Sequence, residues 1–188
     1  RTVAESTGSP IRMKLESDVR WVREREIARG GMGRIDLVFD RTLQRRLAMK
    51  CILPDQADCA GDFEREARIT GRIEHPNIVP VHELDHSDGG LPFFTMKLVK
   101  GETFGDLIYD KRPLHDQARL MDILEVLLKV CDALDYAHSC GVVHRDIKPD
   151  NIMVGDFGEV YLMDWGVARI FDPERFFDHK EAELPVDQ

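Results

Sequence analysis

Eight consecutive residues, His144-Arg145-Asp146-Ile147-Lys148-Pro149-Asp150-Asn151, constrain this chain more than any other stretch of it. They set a base (Asp146), a cation (Lys148) and an amide oxygen able to hold a divalent metal (Asn151) close together, the combination that phosphoryl transfer requires. Any three of these residues alone would read as a polar turn, because Asp, Asn and Pro are common turn formers. The full octet reverses that reading. Its surroundings fit a held loop. A helix is predicted over Gln117–His138, where Leu120, Leu124, Leu127, Cys131 and Leu134 recur at three- and four-residue steps, and it ends before Gly141. Short strands at 142–143, 152–154 and 160–163 frame the loop.

Upstream, strands are predicted at 21–27, 35–39, 46–53 and 92–99, with a helix at 62–73 and a turn at 85–90. This is an antiparallel meander with one helix beside it. Residues 1–19 show no sustained period and read as a tail. Between the first two strands lies Gly30-Gly31-Met32-Gly33, whose missing side chains would let backbone N–H groups approach phosphate oxygens. By itself such a cluster is usually a hairpin turn. Lys50 follows Gly33 by seventeen residues, and strand alternation turns it to the same face as Ala48, which leaves room for a planar ring. A cationic lysine in a cleft wants a carboxylate. On the helix from Asp62, Phe63, Ala67, Ile69 and Ile73 define the inward arc; Glu66 falls within it and Glu64 does not. A carboxylate on an apolar face is costly unless paired, so Glu66 is the expected partner of Lys50.

A second acidic metal ligand is expected downstream of Asn151, and two aspartates compete for the role. Asp156-Phe157-Gly158 comes only five residues later, between two short strands, in a hairpin-turn composition. Asp164-Trp165-Gly166 comes thirteen residues later, after a strand able to carry its carboxylate back beside Asn151, so Asp164 is the expected ligand.

Composition excludes other classes. The 188 residues, 43% hydrophobic and 32% charged, suit one globular domain or two small lobes. A net charge of -9 without a long basic run argues against a nucleic-acid partner. The four cysteines form no C-x-x-C pair and read as reduced thiols of a cytoplasmic protein, with Cys131 inside an apolar helical pattern. No apolar run approaches the roughly 18 residues needed to cross a bilayer, and the first residues lack a signal-peptide core. Because the chain starts with Arg, it is expected to be a processed or excised piece.

With these residues assembled, the chain resembles the protein kinase family, in its bacterial-type serine/threonine branch. The resemblance runs from about residue 21 to 170 and rests on the Gly-Gly-Met-Gly loop, Lys50, Glu66, His75-Pro76-Asn77-Ile78-Val79, the octet and Asp164; Lys148, two residues after Asp146, marks the branch. It implies an α+β, two-lobed fold with ATP between the lobes: a tail at 1–19, an N-lobe and hinge at 20–99 built on an antiparallel sheet with one helix, and part of a mainly helical C-lobe at 100–188. It also implies that Ile27, Ile35, Ala48 and Met153 sandwich adenine. Met96 would stand as gatekeeper before a hinge containing Leu98. Gly30, Gly31 and Gly33 would cover the phosphates, Lys50 would hold the α- and β-phosphates braced by Glu66, and Asn151 and Asp164 would bind Mg²⁺. Asp146 would be the catalytic base and Lys148 the charge stabiliser, with a protein Ser/Thr hydroxyl as acceptor.

Departures from the family pattern bear on activity more than on fold. Ala28 replaces the first loop glycine, and Trp165 replaces the usual Phe after the metal aspartate. The chain ends 24 residues after Asp164 without an Ala-Pro-Glu motif, so apolar surface is expected to need a partner or a dimer contact to cover it. Residues 165–188 contain no Ser, Thr or Tyr that could take a phosphate, although Arg145 is the residue that would receive one. The acidic stretch 172–188 is expected to be mobile. A nucleotide-binding pseudokinase or interaction module is the alternative function. A small-molecule phosphotransferase of the same fold ranks third, because those enzymes typically lack a lysine at the position of Lys148.

Overall fold

The computed structural model describes residues 20–109 and 117–178; the expected tail and the last ten residues of the acidic stretch lie outside the described residues. Five strands, β1 (Trp21–Arg29), β2 (Gly33–Asp40), β3 (Arg45–Ile52), β4 (Val81–His86) and β5 (Pro92–Met96), form one antiparallel sheet in the order β1-β2-β3-β5-β4. A 3₁₀ turn opening on Pro54, whose fixed φ suits a first helical position, leads into α1 (Ala60–Arg72). Phe63, Ala67 and Ile69 of α1 are buried, with Phe63 wholly enclosed against Phe94 of β5. Burying one such ring contributes about 1.5–3 kcal/mol, which is what holds α1 on the sheet.

The edge strand β4 was not expected. Its sequence, Val-His-Glu-Leu-Asp-His, is polar because one side faces water, and the turn after it shrinks to the residues between Ser87 and Leu91. The fourth predicted strand correspondingly stops at Met96.

The second lobe opens with β6 (Gly101–Thr103) and α2 (Phe104–Tyr109) and continues through α3 (Gln117–Ser139), β7 (Val142–Val143), β8 (Ile152–Gly155), β9 (Val160–Leu162), β10 (Arg169–Ile170) and α4 (Pro173–Asp178). Strands β6, β8 and β9 form one small antiparallel sheet, and β10 pairs with β7. Helix α3 occupies the expected span but turns a different face inward. Val126, Val130, Ala133 and Ala137 are buried, whereas Leu120, Leu124, Leu127 and Cys131 are exposed. The leucine stripe lies about one residue, some 100°, around the helix from the packed face. Two alanines with no exposed surface let α3 approach the lobe closely, and leucine periodicity does not reveal that preference. Gly141 closes the helix at φ +76, where an added Cβ would meet the Asp172 carbonyl oxygen at 2.5 Å.

The lobes share a core at the foot of α1. Ile69 and Ile73 pack with Ile78, Leu162, Trp165 and Phe176. The chain leaving α1 is stitched to β9: Leu162 N–H donates to Asn77 O at 2.8 Å, and the Asn77 amide donates to Val160 O at 3.0 Å. The side chains of Lys97, at the junction of the lobes, and Tyr161 of β9 are hydrogen-bonded, with the ammonium also over the ring. No helix among the described residues is long and apolar enough to cross a membrane.

Candidate active site

The loop 144–151 organises itself. Its turn geometry comes from Arg145 at φ 70 and a 3₁₀ turn, Pro149–Asn151. His144 is 1% exposed; its Nε2–H donates to Met163 O at 2.9 Å, and its Nδ1 accepts the Asp146 N–H at 3.2 Å. That pattern needs the neutral tautomer, and burial pushes the imidazole pKa down, consistent with it. The Lys148 ammonium reaches Asp146 Oδ2 at 2.7 Å. The Asn151 amide donates to Asp146 O at 2.8 Å and Asp146 Oδ2 at 3.0 Å, which leaves the Asn151 Oδ1 lone pairs for a cation. Hydrogen bonds from Lys148 and then Asn151 hold the Asp146 carboxyl below the usual carboxylate range, and the bond to Asp146 raises Lys148.

A second cluster is assembled from three distant positions. Lys50 Nζ lies 2.5 Å from Glu66 Oε1 and 3.6 Å from Asp164 Oδ1. Glu66 is 4% exposed, and burial pushes its carboxyl above the usual range despite the opposing pull of Lys50. Glu64, as expected, faces outward, to Arg68 and His86. Asp164 adopts φ 54, in the left-handed region that aspartate tolerates better than most residues with a Cβ. Met163 N–H donates to Asn151 O at 2.8 Å, so the strand before Asp164 is bonded directly to the loop. Asp156 instead lies in the β8–β9 hairpin beside Phe157, which is 93% exposed. The structure thus places Asp164, and not Asp156, beside Lys50.

The remaining expected residues are divided between the two lobes. Ala48 is buried and pairs with buried Met96, and Ile35, Leu98, Met32 and Met163 pack against that cluster. Half-buried Met153 pairs with Tyr161 on the lower side, and exposed Ile27 stands on β1. The turn Gly30–Gly33 is closed by the Gly30 N–H to Gly33 O bond at 2.8 Å, and nothing lies within 4 Å of a Cβ placed on Gly31. At Gly33 a Cβ would meet Cys51 O at 2.8 Å, so β2 and β3 can run this close only with glycine there. Ala28 causes no strain, because it sits in extended β1 opposite Ile35. Trp165 is 1% exposed and packs edge-on to His144, ring centroids 4.6 Å apart, although its indole N–H finds no acceptor among the described residues.

No group of three or more His, Cys, Asp or Glu among the described residues could hold a metal. Asn151 and Asp164 together offer two hard oxygens. Mg²⁺ is commonly held in just this way, by one or two protein oxygens completed by phosphate and water, so the donor set fits a nucleotide-bound Mg²⁺.

A protein kinase domain family model matches residues 21–182. The chain belongs to the protein kinase family. Its relatives include proteins named serine/threonine-protein kinase PknD: from Protochlamydia amoebophila (34% identical, covering 89% of this chain), Chlamydia muridarum (37%, 85%) and Chlamydia trachomatis (38%, 87%). This kinase chain spans 18% of the length of each of them. The α+β fold, with its antiparallel sheet, single N-lobe helix and partial helical lobe, is that of the family. Sequence reasoning missed Arg72, which reaches from α1 to α4, and Tyr161, which receives Lys97; neither carries a local motif, and each matters only through a partner far along the chain.

Proposed function

We propose that this chain is the ATP- and Mg²⁺-using part of a protein serine/threonine kinase that transfers the γ-phosphoryl group to Ser or Thr hydroxyls of a protein. The observation that carries the reading is the interlocked set Asp146, Lys148 and Asn151, bonded through Met163 to the strand that presents Asp164 to Lys50 and Glu66. In this reading residues 20–99 are the upper lobe and hinge, and residues 100–188 belong to the lower lobe. Adenine lies among Ile27, Ile35, Ala48 and Met153, with Met96 at the back and Leu98 at the hinge, and the Gly30–Gly33 turn covers the phosphates. Asn151 and Asp164 would hold Mg²⁺, which would supply charge neutralisation on the phosphates. Lys50 orients the α- and β-phosphates and Glu66 fixes the ammonium. Asp146 orients the acceptor hydroxyl and takes its proton, and Lys148 offsets charge on the transferred group.

Lys148, bound to the base itself, favours a protein over a small-molecule acceptor. The four free cysteines and the acidic surface fit a cytoplasmic setting without nucleic acid. The test is transfer of labelled γ-phosphate to a generic protein substrate by the intact protein and by Asp146→Asn. Transfer by the first alone is expected; ATP binding by both with transfer by neither would establish a pseudokinase instead.

A further inference from the structure

We propose that Arg72 is a positioning residue that clips α1 to α4 and so keeps Glu66 within reach of Lys50. The inference rests on the phosphoryl-transfer reading above. Arg72 ends α1, six residues after Glu66. Its Nε donates to Phe176 O at 2.8 Å and its Nη2 to Phe177 O at 3.1 Å, while the guanidinium carbon lies 5.4 and 5.7 Å from the two phenylalanine rings. The rings pack edge to face with centroids 5.1 Å apart, and Phe176 is 5% exposed in the core that holds Ile69 and Ile73 of α1. One side chain thus satisfies two carbonyls and covers two rings, which a planar forked cation can do and an ammonium cannot.

The other end of α4 is anchored to the lower lobe. Phe171 and Asp172 N–H groups donate to Gly141 O at 2.8 and 3.3 Å, and Asp172 Oδ1 accepts the Arg175 N–H at 3.1 Å. The segment following Asp164 is therefore pinned at Gly141 and at the last residue of α1, and displacing that end of α1 must break the Arg72 bonds. Arg145 holds the same segment in a similar way, donating to Val167 O at 2.7 Å. Both arginines grip backbone carbonyls. With no Ser, Thr or Tyr in residues 165–188, this anchoring needs no phosphate on that stretch.

The test uses the intact protein as wild type, Arg72→Ala, Arg72→Lys, Glu66→Gln and the Arg72→Ala/Glu66→Gln double variant. Arg72→Ala is expected to lower kcat by about tenfold with the acceptor KM unchanged, and Arg72→Lys to recover only a small part of the loss. If Arg72 acts through Glu66, the double variant is no slower than Glu66→Gln within about twofold. Multiplying losses, or an unchanged kcat in Arg72→Ala, would overturn the proposal. Amide hydrogen exchange gives a readout independent of activity. Exchange is expected to quicken across residues 60–72 and 165–178 in Arg72→Ala, and unchanged exchange there overturns the clip. An inactive wild type, together with loss of this protection in Arg72→Ala, would sink the kinase reading and leave the clip standing.

Discussion

Two lysine–carboxylate pairs flank Asp164 and behave in opposite ways. Lys50–Glu66 is 2.5 Å long with side chains 15% and 4% exposed; Lys148–Asp146 is 2.7 Å long with side chains 47% and 37% exposed. In the first, burial outweighs the lysine and raises the glutamate; in the second, the lysine and Asn151 act in the open and lower the aspartate. On the proposed reading the same chemical pair is a bracing strut in one place and a held base in the other. Desolvation decides which.

The comparison can be broken most severely at Asp146. Asp146→Asn is expected to reduce transfer by about 10²–10⁴-fold while leaving ATP binding intact, as loss of a positioned proton acceptor should. A tenfold or smaller loss in steady-state transfer would show that Asp146 is not the base.

Removing each lysine sharpens the contrast in stability. Lys50→Ala leaves Glu66 buried without its partner and should cost about 3–5 kcal/mol, less whatever Glu66 recovers by taking up a proton. Lys148→Ala should cost below about 1 kcal/mol, the usual range for an exposed pair. Equal shifts in denaturant midpoint would erase the distinction.

Acid titration separates the carboxylates. Between the ordinary glutamate range and its own higher pKa, folded Glu66 binds a proton that the unfolded chain has released. Its contribution to stability is therefore greatest at acid pH and declines as pH rises through that higher value. Asp146 runs the other way: its contribution is present above the ordinary aspartate range and is lost as pH falls through its depressed value. The acid limb of kcat/KM should accordingly lie above the ordinary carboxylate range and belong to Glu66, and Glu66→Gln should remove it. A limb that persists in Glu66→Gln would assign it elsewhere. The smallest effect is expected for Asp156→Asn, a change of under about twofold in transfer, since exposed hairpin residues rarely matter beyond their turn.

The loop pair was legible in the sequence because Asp146, Lys148 and Asn151 lie within six residues, and short-range spacing survives into the fold. Glu66 was legible for a different reason: a carboxylate on an apolar helical face requires a partner, and Lys50 was the cation nearest in kind. Asp164 was separated from Asp156 by its spacing from Asn151, by the strand before it and by the hairpin-turn composition around Asp156. Other features were not legible. The polar edge strand β4 looks like loop because one of its sides faces water, and the leucine period of α3 did not reveal its packed face, because alanines suited to close approach outrank leucines in the contact.

By itself the sequence determined the family, the octet and the pairing of Lys50 with Glu66, because each is written in local spacing or in a one-helix periodicity. Only the tertiary structure decided which pair is buried and which face of α3 packs inward. It also brought Arg72 to α4, across 104 residues of chain. Burial and long-range approach are properties of surfaces brought together by folding, and no local window of sequence contains both surfaces.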